Sequence, residues 1–175
     1  MLEKHLQKSC RPYKREVVDI VNSLRPNSVV EVGCGLGEIV GRACARERFG
    51  FAILLDCHSM PSSSVDGGGC DIVLGDRFGS SAAGWVLDTL EQTLRDSGLA
   101  VRRNKPYAGG YITERHGAPT QGRHAVQIEI NRALYMDERR IVKLEKAEDL
   151  AKALLNMARG LATRVAGLGR ALAAE

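Results

Sequence analysis

Phe51-Ala-Ile-Leu-Leu55 is the stretch that most restricts what this chain can fold into: an unbroken apolar run that stops abruptly at Asp56. Successive residues of a strand point to opposite sides of its sheet, so a strand with one wet face alternates apolar and polar side chains. This run does not alternate. As a strand it has both faces covered, which calls for an α/β sheet with helices on either side. Ser28-Val-Val-Glu-Val32 and Asp71-Ile-Val-Leu74 are further short strand-like runs, and Leu99 to Arg103 reads as a returning strand. Between them lie helical patterns. Val17, Val18, Ile20, Val21 and Leu24 give residues 12 to 24 an apolar stripe, and a second helix fits residues 38 to 48. Ser80 or Ser81 can cap a helix reaching about Ser97, with Gly98 as its stop. From about Glu145 an Ala/Leu-rich helix runs to the end, its later turns weakened by Gly160, Gly167 and Gly169. Residues 60 to 70 and Asn104 to Gly122 read as loops by composition. The expected sheet has strands near 28 to 33, 51 to 56, 71 to 75, 99 to 103 and 124 to 131.

Size and charge narrow the function classes. A chain of 175 residues with 44% hydrophobic content can bury one compact core without cross-links. No window approaches the roughly eighteen uninterrupted apolar residues of a membrane span, and Met1-Leu-Glu-Lys-His-Leu-Gln-Lys8 lacks the apolar run of a signal peptide. No membrane partner and a cytoplasmic location are expected. The five cysteines, Cys10, Cys34, Cys44, Cys57 and Cys70, form no Cys-x-x-Cys pair and read as reduced thiols. A formal charge of +4 against 21 acidic residues, with no basic run interleaved with aromatics, argues against nucleic acid as a partner. It reads as ordinary surface charge, compatible with a small anionic substrate.

Three segments carry groups suited to chemistry. His58 follows the end of the apolar run, two residues past Asp56, where a carboxylate can fix the tautomer of a metal-bound imidazole. A structural hydrogen-bonding histidine is the alternative. His124-Ala-Val-Gln-Ile-Glu-Ile-Asn131 alternates, with Val126, Ile128 and Ile130 on one face and Gln127, Glu129 and Asn131 on the other. If that sheet is covered, Glu129 is paired or held in a cleft and is a candidate general base; if the strand lies at an edge, its polar face is simply solvated. Asn104-Lys-Pro-Tyr-Ala-Gly-Gly-Tyr111 leads to Arg115, whose planar fork suits a carboxylate, and the paired glycines allow close approach of a ligand, although the segment also fits a plain surface turn.

In order along the chain, Phe49-Gly-Phe-Ala-Ile-Leu-Leu-Asp-Cys-His-Ser-Met-Pro61, Asp71-Ile-Val-Leu-Gly-Asp-Arg-Phe-Gly79, Asn104-Lys-Pro-Tyr-Ala-Gly-Gly-Tyr-Ile112 and His124-Ala-Val-Gln-Ile-Glu-Ile-Asn-Arg-Ala-Leu-Tyr-Met136 resemble the N-formylglutamate amidohydrolase family. The resemblance divides the chain into an atypical segment, residues 1–45, and an amidohydrolase-like domain, residues 46–175. It implies a three-layer α/β fold with a mixed or mostly parallel sheet, zinc-carboxypeptidase-like (phosphorylase/hydrolase-like) and truncated at the N-terminal side. It also implies metal-dependent hydrolysis of N-formyl-L-glutamate, or a related N-acyl amino acid, to formate and the free amino acid, a reaction of histidine catabolism. By the resemblance His58 is a ligand of a catalytic zinc and Glu129 is the carboxylate that takes a proton from water. Arg115, Asn104 and Arg77 would hold the carboxylates of the substrate.

Two departures accompany it. The family draws its other metal ligands from a longer N-terminal part, and here no histidine is followed three residues later by Glu or Asp, so His116 or Asp76 would have to substitute. In that place stands Asn27-Ser-Val-Val-Glu-Val-Gly-Cys-Gly-Leu-Gly-Glu38, which is similar to the glycine motif of class I S-adenosylmethionine-dependent methyltransferases. Asp56, nineteen residues after Gly37, would then be the acid that grips a ribose. The alternatives to a hydrolase are thus an S-adenosylmethionine-binding, methyltransferase-like domain or a catalytically silent composite.

Overall fold

The computed structural model describes residues 29–33, 52–65 and 69–172. Strands β1 (Val29–Gly33), β2 (Ala52–Met60), β3 (Ile72–Gly75), β4 (Val101–Arg103) and β5 (Arg123–Asn131) form one five-stranded sheet in the order β1-β2-β5-β3-β4. β1, β2 and β5 run parallel, β5 and β3 pair antiparallel, and β4 is parallel to β3. The sheet is therefore mixed and mostly parallel, and it contains all five expected strands. The helices expected over residues 12 to 24 and 38 to 48 lie outside the described residues, as does the glycine turn beyond Gly33. Helices α1 (Gly84–Asp96), α2 (Tyr111–His116) and α3 (Ala147–Leu172) surround the sheet, and β6 (Met136–Asp137) and β7 (Val142–Lys143) form a separate small hairpin.

The period of two divides the sheet cleanly. Ile53 and Leu55 of β2, Ile72 and Leu74 of β3, and Val126, Ile128 and Ile130 of β5 face one side, where they pack with Val86, Leu87, Leu90 and Leu94 of α1 and Leu150, Met157, Leu161 and Val165 of α3. Each such side chain contributes about 1.5–3 kcal/mol of burial, making this face the main source of stability. On the other face Leu54 and Ala125 pack with Ile112 of α2. Met60 and Val73 continue that face into a cluster with Val65 and Cys70, against which Tyr107 rests. With helix on both sides, β2 needs apolar residues at odd and even positions alike, which is why the run through Leu55 does not alternate.

Three local expectations are corrected. The segment from Asn104 to Gly122 is not all loop: it contains α2 and a 3-10 turn at Pro119–Gln121. Six residues are too few to display a helical period, and α2 holds its place through packing of Ile112. Neither Ser80 nor Ser81 caps α1, whose N-cap is Ala83. The Ser81 hydroxyl donates instead to Ala125 O at 2.8 Å and that of Ser80 to Arg77 O at 2.8 Å, while the Ala83 N–H donates to His124 Nδ1 at 3.2 Å. The expected C-terminal helix is present as α3, which continues past Gly160 and Gly167. Finally, β5 is no edge strand, because β2 and β3 flank it.

Candidate functional site

On the α2-covered face, toward the carboxyl ends of β2 and β5, the apolar pattern gives way to four polar side chains. Register explains how they meet. Asp56 lies opposite Gln127, and His58 opposite Glu129, on adjacent parallel strands. Partners in register point to the same side, so residues 71 positions apart in the sequence, 58 and 129, become neighbours. Asp56, Gln127 and Glu129 are buried, whereas the side chain of His58 is 44% exposed at the open end of the group.

The hydrogen bonds fix the roles of individual atoms. His58 Nε2 lies 2.8 Å from Asp56 Oδ2. An ionised carboxylate can only accept, so Nε2 donates the hydrogen in this pair, and with the ring neutral Nδ1 presents its lone pair. That is the arrangement in which a carboxylate orients a metal-binding imidazole. The second oxygen of Asp56, Oδ1, is buried and has no hydrogen-bond partner among the described residues. An orphaned carboxylate oxygen costs free energy unless a donor or a cation meets it. On the neighbouring strand Gln127 Nε2 donates to Glu129 Oε1 at 2.6 Å, and Gln127 Oε1 accepts from the Gly110 N–H, also at 2.6 Å.

Gly110 belongs to the segment that walls the group. A Cβ built on Gly75 would sit 2.7 Å from Ala108 C and Gly109 N, so only glycine lets the 104–110 segment press onto β3. Asn104 anchors its start. Its Oδ1 accepts from the N–H of Asp76 at 3.0 Å and of Phe78 at 3.3 Å, and its Nδ2 donates to Asp76 Oδ1 at 2.7 Å. Three non-glycine residues at this junction, Arg77, Phe78 and Asn104, hold left-handed backbone with φ of 54°, 56° and 58°. Such conformations are costly for bulky residues, and the Asn104 bonds hold them in place. At the ends of β2 and β5, the Arg132 guanidinium lies 3.9 Å from Glu138, whose carboxylate accepts from both the N–H and the hydroxyl of Ser62.

The residues expected from the sequence thus fall into two sets. His58 and Glu129 share a rung. Arg77 lies against the 104–110 wall, its N–H donating to Ala108 O at 2.6 Å and its guanidinium 3.4 Å from Glu114. Arg115 is exposed on α2. The side chain of Asn104 is taken up by Asp76 and Phe78, so a contact with substrate would have to replace one of those bonds. Asp76 is likewise held by Asn104, and among the described residues no three His, Cys, Asp or Glu side chains gather as a metal site, so neither Asp76 nor His116 completes one with His58. One member was not assigned a role from the sequence. Gln127 was visible on the polar face of its strand, but its bridge to Gly110 depends on a long-range contact that no local pattern encodes. The Asp56 to His58 bond was visible in their spacing of two.

A mixed sheet covered on both sides, with a carboxylate-bound imidazole beside a buried glutamate at its strand ends, defines an α/β protein of the kind that houses polar chemistry at a sheet edge. The chain belongs to the N-formylglutamate amidohydrolase family, whose model matches residues 38–136. It is 31% identical over 166 residues to the N-formylglutamate deformylase of Pseudomonas aeruginosa, covering 91% of this chain and 62% of that protein. It is 35% identical over 97 residues to the N-formylglutamate deformylase of Pseudomonas putida, covering 53% of this chain and 36% of the relative. Among solved structures it resembles N-formylglutamate amidohydrolase from Ralstonia eutropha JMP134, with 34% identity, a TM-score of 0.64, and coverage of 72% of this chain and 47% of that one. The chain therefore spans less than two thirds of the length of these relatives, and the match to the P. aeruginosa protein reaches into residues 1–45.

Proposed function

We propose that this chain takes part in hydrolysis of N-formyl-L-glutamate, or a related N-acyl amino acid, to formate and the free amino acid, with Glu129 as general base and His58 as a metal ligand. The shared rung of His58 and Glu129 carries the proposal, since it brings a free imidazole nitrogen and a buried carboxylate to one place. The described residues fit part of a zinc site: the Nδ1 lone pair of His58, backed by Asp56, with an unmet carboxylate oxygen beside it. They do not supply the usual three protein ligands, and the remainder would come from outside them. Zinc, when bound, supplies Lewis acidity toward the acyl oxygen and lowers the pKa of water. Glu129 removes a proton from the attacking water and returns it to the departing amine, so that the C–N bond breaks and one water is consumed. Arg115 and Arg77 would meet the carboxylates of a small anionic substrate. The zinc-carboxypeptidase-like ancestry of the fold, the division at residue 45, a cytoplasmic setting and a place in histidine catabolism belong to this same reading.

The test is formate release from N-formyl-L-glutamate with added zinc. Glu129→Gln keeps the shape and removes the base, and should cut the rate about a hundredfold or more. His58→Ala should instead lower zinc occupancy. Unchanged activity in Glu129→Gln would remove the role given to it.

One observation favours a second reading. Gly33 shares a rung with Asp56, which places the end of the glycine-motif strand beside the acid that would grip a ribose. Calorimetric titration with S-adenosylmethionine decides between them: saturable binding that weakens in Asp56→Ala would favour a methyltransferase-like domain. No heat of binding, together with no formate release, would leave the catalytically silent composite.

A further inference from the structure

We infer that Gln127 is a positioning residue for Glu129 and couples the setting of the 104–110 segment to the orientation of the carboxylate; this rests on the hydrolytic reading above. Gln127 lies two residues before Glu129 on β5, on the same face, and is only 8% exposed. A backbone N–H can only donate, so the bond from Gly110 decides which end of the side-chain amide is oxygen. The NH2 end is then turned toward Glu129, donating to its Oε1 at 2.6 Å. That bond commits Oε1 as an acceptor and leaves Oε2 as the oxygen free to take a proton. An anchor for the segment alone would need only the bond to Gly110. The second bond joins that anchor to the general base.

Contact is also tight on the other side of the bridge. A Cβ on Gly110 would lie 3.3 Å from Gln127 Oε1, so a change at residue 110 displaces the amide and, through it, Glu129. Gly110 in turn closes the segment that Asn104 ties to Asp76 and Phe78 and that Gly75 admits against β3. A shift of this wall on ligand entry would reach the base through one side chain.

Two substitutions separate anchoring from positioning. Gln127→Glu keeps an acceptor for the Gly110 N–H but replaces the donor facing Glu129 with a carboxylate. Gln127→Met removes both functions at similar volume. Formate release should fall about 10- to 100-fold in kcat for both variants, the range for groups that support a catalytic residue, with KM within about twofold of the parent. The Gly110 amide should exchange slowly in the parent and in Gln127→Glu, and faster in Gln127→Met. Normal kcat in Gln127→Glu, or a loss confined to KM, would overturn the inference. An arm that needs no turnover uses 13C-labelled glutamate, with the Glu129 carboxyl signal assigned by its absence in Glu129→Gln. That signal should move in Gln127→Met and in Gly110→Ala. A signal that stays in place in Gly110→Ala overturns the coupling, and absence of formate release by the parent chain, with the signal moving as expected, would sink the hydrolytic reading and leave the coupling standing.

Discussion

His124 opens β5 on the face covered by α1 and α3, where its Nδ1 accepts from Ala83 and its ring meets Trp85 edge-on at 5.8 Å. Burial holds its pKa below the ordinary histidine value. The folded protein therefore binds this proton more weakly than the unfolded chain does. The resulting stability is complete above the unfolded value of about 6.5 and is lost as pH falls through it toward the folded value. The urea midpoint should accordingly drop on the acid side of neutrality, and drop less steeply in His124→Gln; identical pH slopes would remove His124 as a contributor. Burial also raises the Cys70 thiol, so this cysteine should resist iodoacetamide at neutral pH until the chain is unfolded, as mass spectrometry can read. Asn104→Ala breaks three hydrogen bonds and leaves alanine at a φ of 58°, a loss of about 2–4 kcal/mol in denaturant unfolding. A variant that instead kept its stability and lost only substrate affinity would make Asn104 a direct contact. At this scale the sequence revealed the side chains whose signal is local: His58 two residues from Asp56, and Glu129 on an alternating strand. The bonds of Asn104 were hidden, because a residue that serves backbone 28 positions away, Asp76, looks the same in sequence as one that serves a ligand.

Helix α1 is held from two sides. Arg103 of edge strand β4 pairs with Asp88 at 2.8 Å and with Glu91, and Arg95, itself paired with Glu91 at 2.7 Å, donates to Val101 O of β4 at 2.9 Å, drawing β4 against the helix. Partial burial of Glu91 opposes its charge, yet the hydrogen bonds from Arg95 and Arg103 prevail and its pKa is lowered. On the other side α3 packs close at Gly160, where a Cβ would come 2.9 Å from Thr93 Oγ1. Gly160→Val should therefore push the helices apart and cost about 1–3 kcal/mol, while Gly160→Ala combined with Thr93→Ala, which empties the space and removes helical glycine, should gain up to about 1 kcal/mol. Thermal unfolding of the parent, Gly160→Ala, Thr93→Ala and the double variant forms a double-mutant cycle, and additive effects would show that the contact is immaterial. The strands and long helices were legible because their burial pattern repeats within ten residues. α2 and the β6–β7 hairpin were not, since a six-residue helix and two-residue strands contain less than two periods of anything.

The whole sheet depends on pairings between distant segments, and these were the least legible feature of the sequence. Both the interleaving of β5 between β2 and β3 and the reversal at β3 depend on complementary faces, which no window along the chain displays. Native-state hydrogen exchange should show the hierarchy: slowest amides in β2 and β5 at the sheet's centre, fastest in the β6–β7 hairpin, where Ile141 and Val142 lie exposed. Uniform protection would mean that the hairpin is bound into the same cooperative unit. The shared rung of His58 and Glu129 also sets a rule for insertions and deletions. Residues between 61 and 122 can lengthen or shorten in their loops while both side chains stay adjacent, but loss of one residue within β2 or β5 ahead of them turns one side chain to the opposite face, packed by α1 and α3. The site thus has a reading frame of its own, counted in strand residues, and length variation in this chain is silent or fatal according to whether it falls between the rungs or upon them.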